Sequence, residues 1–351
     1  MENFTEIILG WYDACGRDLL WRRTRDPYAV WLSEIILQQT RIAQGTAYWE
    51  RFMARFPDAA SLAAASEDEV LRLWEGLGYY SRARNLHAAA RQIADLGAFP
   101  GTFEGIRALK GIGDYTAAAI GSIAFGLPAA VVDGNVYRVL SRHYGIDTPV
   151  GTSAAAKQFR ALAQSLLPPE RPGDFNQGMM DFGALVCTPR NPACPTCPLR
   201  ESCVARQSGR VESLPVKKAG PAVTERYFTL IYLRCGGHTA IRRRGSGDIW
   251  QGLWEPLLLE HGEGETPQLP AWTAAGTLRK LKGGVKHALT HRLLTADFYL
   301  FESGERPPLP GEFRWIEENE LDAYGKPRLF ELLLEEFLNS AEKSVPFNAK
   351  P

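Results

Sequence analysis

Two sets of residues in this chain could do chemistry by their type and spacing. The first is a cysteine quartet, Cys187, Cys194, Cys197 and Cys203, in a six-two-five spacing. Four thiolates that close together suit an all-cysteine metal site, and spacing alone makes zinc the default ion. The second set is a pair of carboxyl groups, Glu34 and Asp133. Glu34 lies in Trp31-Leu-Ser-Glu-Ile-Ile-Leu-Gln-Gln-Thr-Arg41, among large apolar residues. Desolvation there disfavours the charged form and raises the pKa, so that the group can act as an acid near neutral pH. A glutamate facing solvent from an amphipathic helix is the plainer reading of the same residues. Asp133 precedes Gly134-Asn-Val-Tyr-Arg-Val-Leu-Ser-Arg142, where Val136, Val139 and Leu140 fall at helical spacing. It reads as a helix N-cap, a place where N–H groups and the helix dipole favour the ionised carboxylate.

A third motif lies between the two carboxyls. In Leu109-Lys-Gly-Ile-Gly-Asp-Tyr-Thr116, Gly111 and Gly113 flank one apolar residue. This suits a tight turn whose backbone comes close to something that a Cβ would obstruct. Thr116-Ala-Ala-Ala-Ile120 then reads as a helix, which leaves Gly113 to Tyr115 at its N-terminus with free N–H groups of the kind that bind phosphate. By itself the octapeptide is as easily an ordinary turn between two core helices.

The elements that must hold these groups divide the chain in two. Residues 1–208 read as an all-α domain. Asp26-Pro27 opens a helix through Trp31, Ile35, Ile36 and Leu37, proline being tolerated in the first turn. Ser66-Glu-Asp-Glu69 is a capping box, and Gly76-Leu-Gly-Tyr-Tyr80 a loop before a helix running to Leu96. Residues 209–226 turn to Ser, Gly, Pro and charge and read as a linker. From 227 to 345 short β-rich runs dominate, at Tyr227–Leu233, Thr239–Arg242 and Thr295–Leu300, with a Gly236-Gly237 turn and an amphipathic helix from Pro327 to Leu338. That order gives a smaller α+β domain.

Lysine plus arginine balances aspartate plus glutamate at 40 each, evenly on both sides of residue 210. Nucleic-acid affinity would therefore rest on local patches, such as Trp21-Arg-Arg-Thr-Arg25, Arg82-Ala-Arg84 and Arg242-Arg-Arg244, rather than on bulk charge. No stretch resembles a signal peptide or reaches the length of a membrane span, so an intracellular protein is expected, without membrane partners. Reduced cysteines then read as metal ligands rather than disulfides, while Cys15 and Cys235 stand apart as idle or buried thiols.

Taken together, Gly111-Ile-Gly113, Val132-Asp-Gly-Asn-Val136 and the cysteine spacing resemble the helix-hairpin-helix DNA glycosylases of the endonuclease III superfamily, and within it the adenine DNA glycosylase (MutY) family. The resemblance covers nearly the whole chain. It implies a four-iron four-sulfur cluster on the four cysteines in place of zinc, pinning a loop with Arg190, Arg200 and Arg206 against DNA. The segment Ser33-Glu34-x3-Gln38-Gln39-Thr40 resembles the one that carries the family's catalytic acid.

Breaking the bond from adenine to deoxyribose requires protonation of the leaving purine and stabilisation of a sugar cation, work for one raised and one depressed carboxyl pKa. The resemblance gives the first task, with water activation, to Glu34 and the second to Asp133, oriented by Asn135. Tyr115 stands where strand-cutting relatives carry a lysine; a phenol cannot form a Schiff base, so a monofunctional enzyme is implied, with Lys110 the one nearby amine. Gly111 and Gly113 would hold phosphate. Gln39, Leu77 and Tyr79 would wedge into the duplex as the base flips out, and Trp21, Arg22 and Gln177 would line an adenine pocket.

Trp250-Gln-Gly-Leu-Trp-Glu-Pro256 and its neighbours resemble the Nudix-like C-terminal domain of that family. The Arg-Glu-x2-Glu-Glu magnesium signature is absent, which leaves recognition as the domain's task. His287-Ala-Leu-Thr-His291 has the i, i+4 histidines of a helical metal pair, but Gly283-Gly284 and the β-rich run after it argue against a helix. It resembles the family's Phe-Ser-His loop for 8-oxoguanine, with Leu289 in place of the aromatic and Thr290 keeping the hydroxyl beside His291. The expected partner is double-stranded DNA with adenine opposite 8-oxoguanine or guanine, bound by a monomer. The alternatives are another mismatch or oxidised-base glycosylase on the same scaffold, or a non-catalytic iron–sulfur DNA-binding protein.

Overall fold

The computed structural model describes residues 4–218 and 222–342. The expected domain limits at 1 and 345, and positions 219–221 of the expected linker, lie outside the described residues. Two compact units form: residues 4–64 with 85–218, and residues 65–84 with 222–342.

The first unit is built of helices, and two of the residues that start them, Asp26 and Asp133, were readable in the sequence. Asp26 accepts a hydrogen bond from the Tyr28 N–H and Pro27 fills the first turn of the helix Pro27–Ile36, where a missing N–H costs nothing. Asp133 caps the helix Gly134–Tyr144 through the Val136 N–H. Thr152 caps Ser153–Leu166 through the Ala155 N–H. One core gathers Ile8, Val139, Leu140, Phe159, Phe175 and Phe182 from four helices. A second, smaller one packs Ala118, Ala119 and Val131 against Tyr115.

Part of the expected linker is not free. Leu214 is buried, its carbonyl accepts from Arg142 Nε at 3.0 Å, and Val150 exchanges backbone hydrogen bonds with Val216 and Lys218. An apolar side chain and a buried guanidinium therefore tie residues 214–218 to the helical unit, where the sequence read as a linker.

The second unit is organised on a seven-stranded sheet among the described residues. Its strands are β1 (Thr224–Cys235), β2 (His238–Arg243), β3 (Trp254–Glu255), β4 (Leu257–His261), β5 (Thr277–Leu289), β6 (Arg292–Ser303) and β7 (Phe313–Glu317). The path runs β3-β2-β1-β6-β5, with β4 also on β1 and β7 on β2. β1 runs parallel to β6 in unbroken register from Thr224 opposite Arg292 to Cys235 opposite Ser303. Its alternate residues serve two cores, as a period of two requires. Phe228, Leu230 and Tyr232 meet Leu329, Phe330 and Leu333 of the helix Arg328–Glu342, while Ile231, Leu233 and Cys235 meet Leu257 and Phe301.

β5 was not expected from the sequence. It is a half-exposed strand on the sheet's edge, with register shifts on either side of Lys282 that absorb Gly283 and Gly284, so it lacks the apolar alternation by which a strand is recognised. His287 lies in it, and Thr290 and His291 form the turn to β6; the two histidines are not on a helix, as expected.

Residues 65–84, which the sequence placed with the helical domain, pack instead with the sheet-bearing residues. Arg243 pairs with Glu67 at 2.9 Å, Trp254 Nε1 donates to Asp68 at 3.3 Å, and Tyr80 Oη donates to the Lys326 carbonyl at 3.2 Å. Leu71 seats at Gly252 and Gly325.

Candidate active site

The helix Pro27–Ile36, the helix Asp114–Phe125 and the start of Gly134–Tyr144 converge on a pocket of about 740 Å³. Glu34, Tyr115, Asp133 and Asn135 line it, and so do Trp21, Arg22, Gln39 and Gln177. Eight residues singled out in the sequence thus share one cavity.

Glu34 is half-buried in its wall. Loss of solvation pushes its carboxyl up to about 7; the Tyr115 hydrogen bond and the Arg22 charge oppose that rise, and the Asp133 charge adds to it. Tyr115 Oη donates to Glu34 Oε2 at 3.4 Å and lies 3.6 Å from Met180 Sδ. Burial, then the two carboxylates, hold the phenol far above its ordinary range, so it remains a donor.

Asp133 behaves otherwise than the sequence suggested. Its Oδ1 accepts from the Val136 N–H at 2.7 Å and its Oδ2 from Asn135 Nδ2 at 2.7 Å, donors that favour the ionised form. Burial outweighs them, and the carboxyl lies above, not below, its ordinary value. The N-cap geometry was legible; the depth at which the cap is sunk was not.

Asn135 is fixed from behind. Its Oδ1 accepts from Arg138 Nη2 at 2.8 Å, and the buried Arg138 also donates to the carbonyls of Gly183 and Cys187, each at 2.6 Å. A Cβ at Gly183 would lie 2.6 Å from that of Asn135, so glycine is what lets the helix Pro172–Leu185 approach this closely. Arg138, Arg17 and Asp181 were missed in the sequence. Arg138 stands one turn beyond Asn135, and Asp181 one turn beyond Gln177, spacing that puts each pair on one helical face. Asp181 is fully buried between Arg17 and Arg22.

Trp21 is buried against Trp49, with ring centroids 6.0 Å apart. Gln177 is buried too, whereas Gln39 is exposed with a left-handed backbone at φ 58°. The hairpin lies outside the pocket lining. Gly111 has φ 77° and would drive a Cβ into the Asn85 side chain at 2.6 Å, so this turn demands glycine. Gly113 caps the helix Asp114–Phe125, and a Cβ there would meet no protein atom within 4 Å. The fold itself leaves that position open.

In the other unit, Leu77 is buried and Tyr79 is 49% exposed. Tyr79 has φ 46° and shares a hydrogen bond between hydroxyls with Thr290. The His291 carbonyl accepts from the Thr224 N–H at 3.0 Å.

Cys187, Cys194, Cys197 and Cys203 are half-buried and none is in a disulfide. Arg142 lies against the quartet, donating to Cys187 Sγ at 3.5 Å, while Cys203 Sγ faces its carbonyl at 3.5 Å. Four thiol donors, with cationic Arg138 and Arg142 behind the loop to balance thiolate charge, fit an all-cysteine metal cluster. No helix among the described residues is long and apolar enough to cross a membrane.

Comparison with known proteins agrees with this anatomy. The model for HhH-GPD superfamily base excision DNA repair proteins matches residues 32–169, that for the iron-sulfur binding domain of endonuclease III residues 187–203, and that for a NUDIX domain residues 229–336. The chain is 36% identical over 303 residues to an adenine DNA glycosylase of Buchnera aphidicola (strain Bp), covering 85% of this chain and 84% of the relative. It is 46% identical over 222 residues to the human adenine DNA glycosylase, covering 60% of this chain. It spans less than half the length of the human and rat relatives, 41% and 44%. Among solved structures, a thermostable thymine-DNA glycosylase is similar at TM-score 0.54 and 31% identity, over 58% of this chain and 95% of that one. An endonuclease III–DNA complex shares the fold at TM-score 0.50 and 23% identity, over 60% and 99%. The cysteine loop is an iron–sulfur binding domain.

Proposed function

Because the chain belongs to the adenine DNA glycosylase family, we propose that it excises adenine paired with 8-oxoguanine or guanine in double-stranded DNA, as a monomeric, monofunctional base-excision glycosylase inside the cell. The observation that carries this reading is the pair of carboxyls facing one pocket, with Glu34 poised at about 7.

Glu34 protonates the flipped adenine, which turns a poor leaving group into a neutral one, and then takes a proton from water. Tyr115 keeps the Glu34 carboxyl aimed by its hydrogen bond. Asp133 faces the sugar. Sunk in the wall and capped by two donors, it meets a developing positive charge that restores its ionised form, so its interaction strengthens as the bond breaks. Asn135, anchored by Arg138, holds it in register. Trp21, Arg22 and Gln177 surround the base. Tyr115 offers no amine, and Lys110, on an exposed turn, is not among the residues that line the pocket, which supports hydrolysis without strand cleavage.

The duplex is held at the hairpin, where Gly113 leaves room for a phosphate at a helix N-terminus. Gln39, Leu77 and Tyr79 replace the extruded base. The pairing of Tyr79 with Thr290 supports a joint reading of the opposite base by those hydroxyls and His291. Residues 4–64 with 85–218 are proposed as the catalytic domain, and 65–84 with 222–342 as the recognition domain. A four-iron four-sulfur cluster held by Cys187, Cys194, Cys197 and Cys203 supplies, when bound, a cross-link for the loop and a centre able to carry an electron. Arg138 and Arg142 join that loop to the helix that begins at Asp133.

The test is a duplex with a labelled adenine strand opposite 8-oxoguanine, analysed with and without hot alkali. Strand breaks only after alkali are expected. Breaks without alkali would overturn the monofunctional assignment, and none in either arm would favour a non-catalytic binding protein.

A further inference from the structure

Asp181 is a fully buried carboxylate that the proposed mechanism does not use, and it sits behind the pocket, holding Arg17 and Arg22 of its lining. Its side chain is 0% exposed, and its two oxygens take five donors from two arginines. Oδ2 accepts from the Arg17 backbone N–H at 2.9 Å and Arg22 Nη1 at 2.6 Å. Oδ1 accepts from Arg17 Nε at 2.8 Å, Arg22 Nη2 at 2.8 Å and Arg17 Nη2. Arg22 in turn lies over the Tyr12 ring and is 11% exposed.

We propose that Asp181 is a positioning residue for Glu34: by fixing Arg22 and balancing the charges of Arg22 and Arg17, it keeps the Glu34 carboxyl in its acid form. The inference rests on the reading of Glu34 as the proton donor and deepens it. Glu34 is faced by Tyr115 from one helix, Asp133 from the next and Arg22 from the turn before its own helix, with Arg41 on the pocket lining. Of the three arginines on the lining, Arg17, Arg22 and Arg41, Arg22 is the one whose charge reaches the Glu34 carboxyl and works against its proton. Both of its Nη atoms are committed to Asp181. With Asp181 present, two guanidinium groups and one carboxylate leave a single net positive charge in the wall. Without it there would be two, and Arg22 would be free to turn toward Glu34 and draw off its proton. An unpaired buried cation seeks a nearby anion, and in this pocket that anion is the acid the reaction needs.

The test uses the cluster-loaded full chain and single-turnover adenine release between about pH 5 and pH 9. Protonated Glu34 is the active form, so the rate falls on the alkaline side as Glu34 ionises. Asp181→Asn should move that limb toward acid by about one pH unit, a roughly tenfold loss near pH 8 with little change near pH 5.5. Arg17→Met, a change at a part-exposed side chain, should leave Asp181 with less cation to balance and move the limb the other way. It carries the test alone if Asp181→Asn does not fold. The protonated C=O stretch of Glu34, identified as the infrared band missing in Glu34→Gln, gives the same midpoints without catalysis.

Opposite shifts in both readouts are the expected result. Infrared midpoints that shift while the rate profiles stay fixed would support the link from Asp181 to Glu34 and overturn Glu34 as the acid. A rate lowered equally at every pH, with unmoved midpoints, would overturn the inference.

Discussion

The pocket around Glu34 and the arginine–carboxylate network around Asp248 are both crowded with charge, yet they treat carboxyl groups in opposite ways. In the network, Asp248 accepts from Arg226 and Arg244, with Arg292 at 3.3 Å, and is held down to about 2. Glu260 shares Arg226 and is also held down. Glu255, 1% exposed, lies between Arg242 and Arg244. In the pocket, Glu34 has a phenol at 3.4 Å, while the Arg22 guanidinium is paired with Asp181. Arginines paired with the carboxylates of the network hold them ionised, whereas the arginine beside Glu34 is paired with Asp181 instead, and Glu34 keeps its proton up to about 7. The distinction lies in which atoms are paired and not in how many charges are present.

The comparison breaks first, and most visibly, at Glu34. Glu34→Gln should lower single-turnover adenine release by about 10³-fold with the protein still folded; an unchanged rate would remove Glu34 from its role. Next comes the sheet, where Glu255→Gln should cost about 3 kcal/mol of unfolding free energy, because two arginines lose a buried partner. Urea denaturation measures this, and the pH–rate profile should not move.

The third effect separates the regions by sign. Glu34 binds its proton more tightly in the fold, at about 7, than in the unfolded chain, at 4.5. Its presence is therefore least costly below about pH 4.5, and stability falls as pH rises toward 7. Asp248 is the reverse: its contribution is complete above 3.8 and is lost as pH falls toward 2. Glu34→Gln should thus gain about 2 kcal/mol over the parent at pH 8 and nothing near pH 4, as urea curves at both pH values would show. The smallest change is Arg292→Ala, which removes a 40%-exposed side chain at 3.3 Å from Asp248. It should cost about 0.5 kcal/mol or less and fade in added salt.

What the sequence revealed depended on how locally each feature is determined. The Asp133 cap, the helix from Pro27 and the strand through Tyr227–Leu233 follow from residues within a turn or two of each other. The cysteine spacing is local too, and the family model confirms an iron–sulfur loop at 187–203. The direction of the Asp133 shift was not legible, since the capping donors are adjacent in sequence while the groups that bury the cap are not. Asp181 escaped notice because its two arginines lie 164 and 159 positions away. β5 was missed because an edge strand exposed on much of its length needs no apolar alternation. The packing of residues 65–84 with the sheet rests on pairs such as Arg243 with Glu67, 176 positions apart, which no window along the chain can see.

That same packing sets an order of events during synthesis. Val70, Leu71 and Trp74 are made early and are buried in the finished protein, but Gly252, Gly325 and Lys326, against which their segment closes, emerge some 180 to 250 residues later. β1 likewise waits for β6 to complete its parallel edge. At about 5–20 residues per second on the ribosome, the apolar face of this early segment stays uncovered for roughly 10–50 s. A nascent chain of this protein is therefore most exposed to mispairing and chaperone capture at a helix near its beginning, well before the strands that will cover it exist.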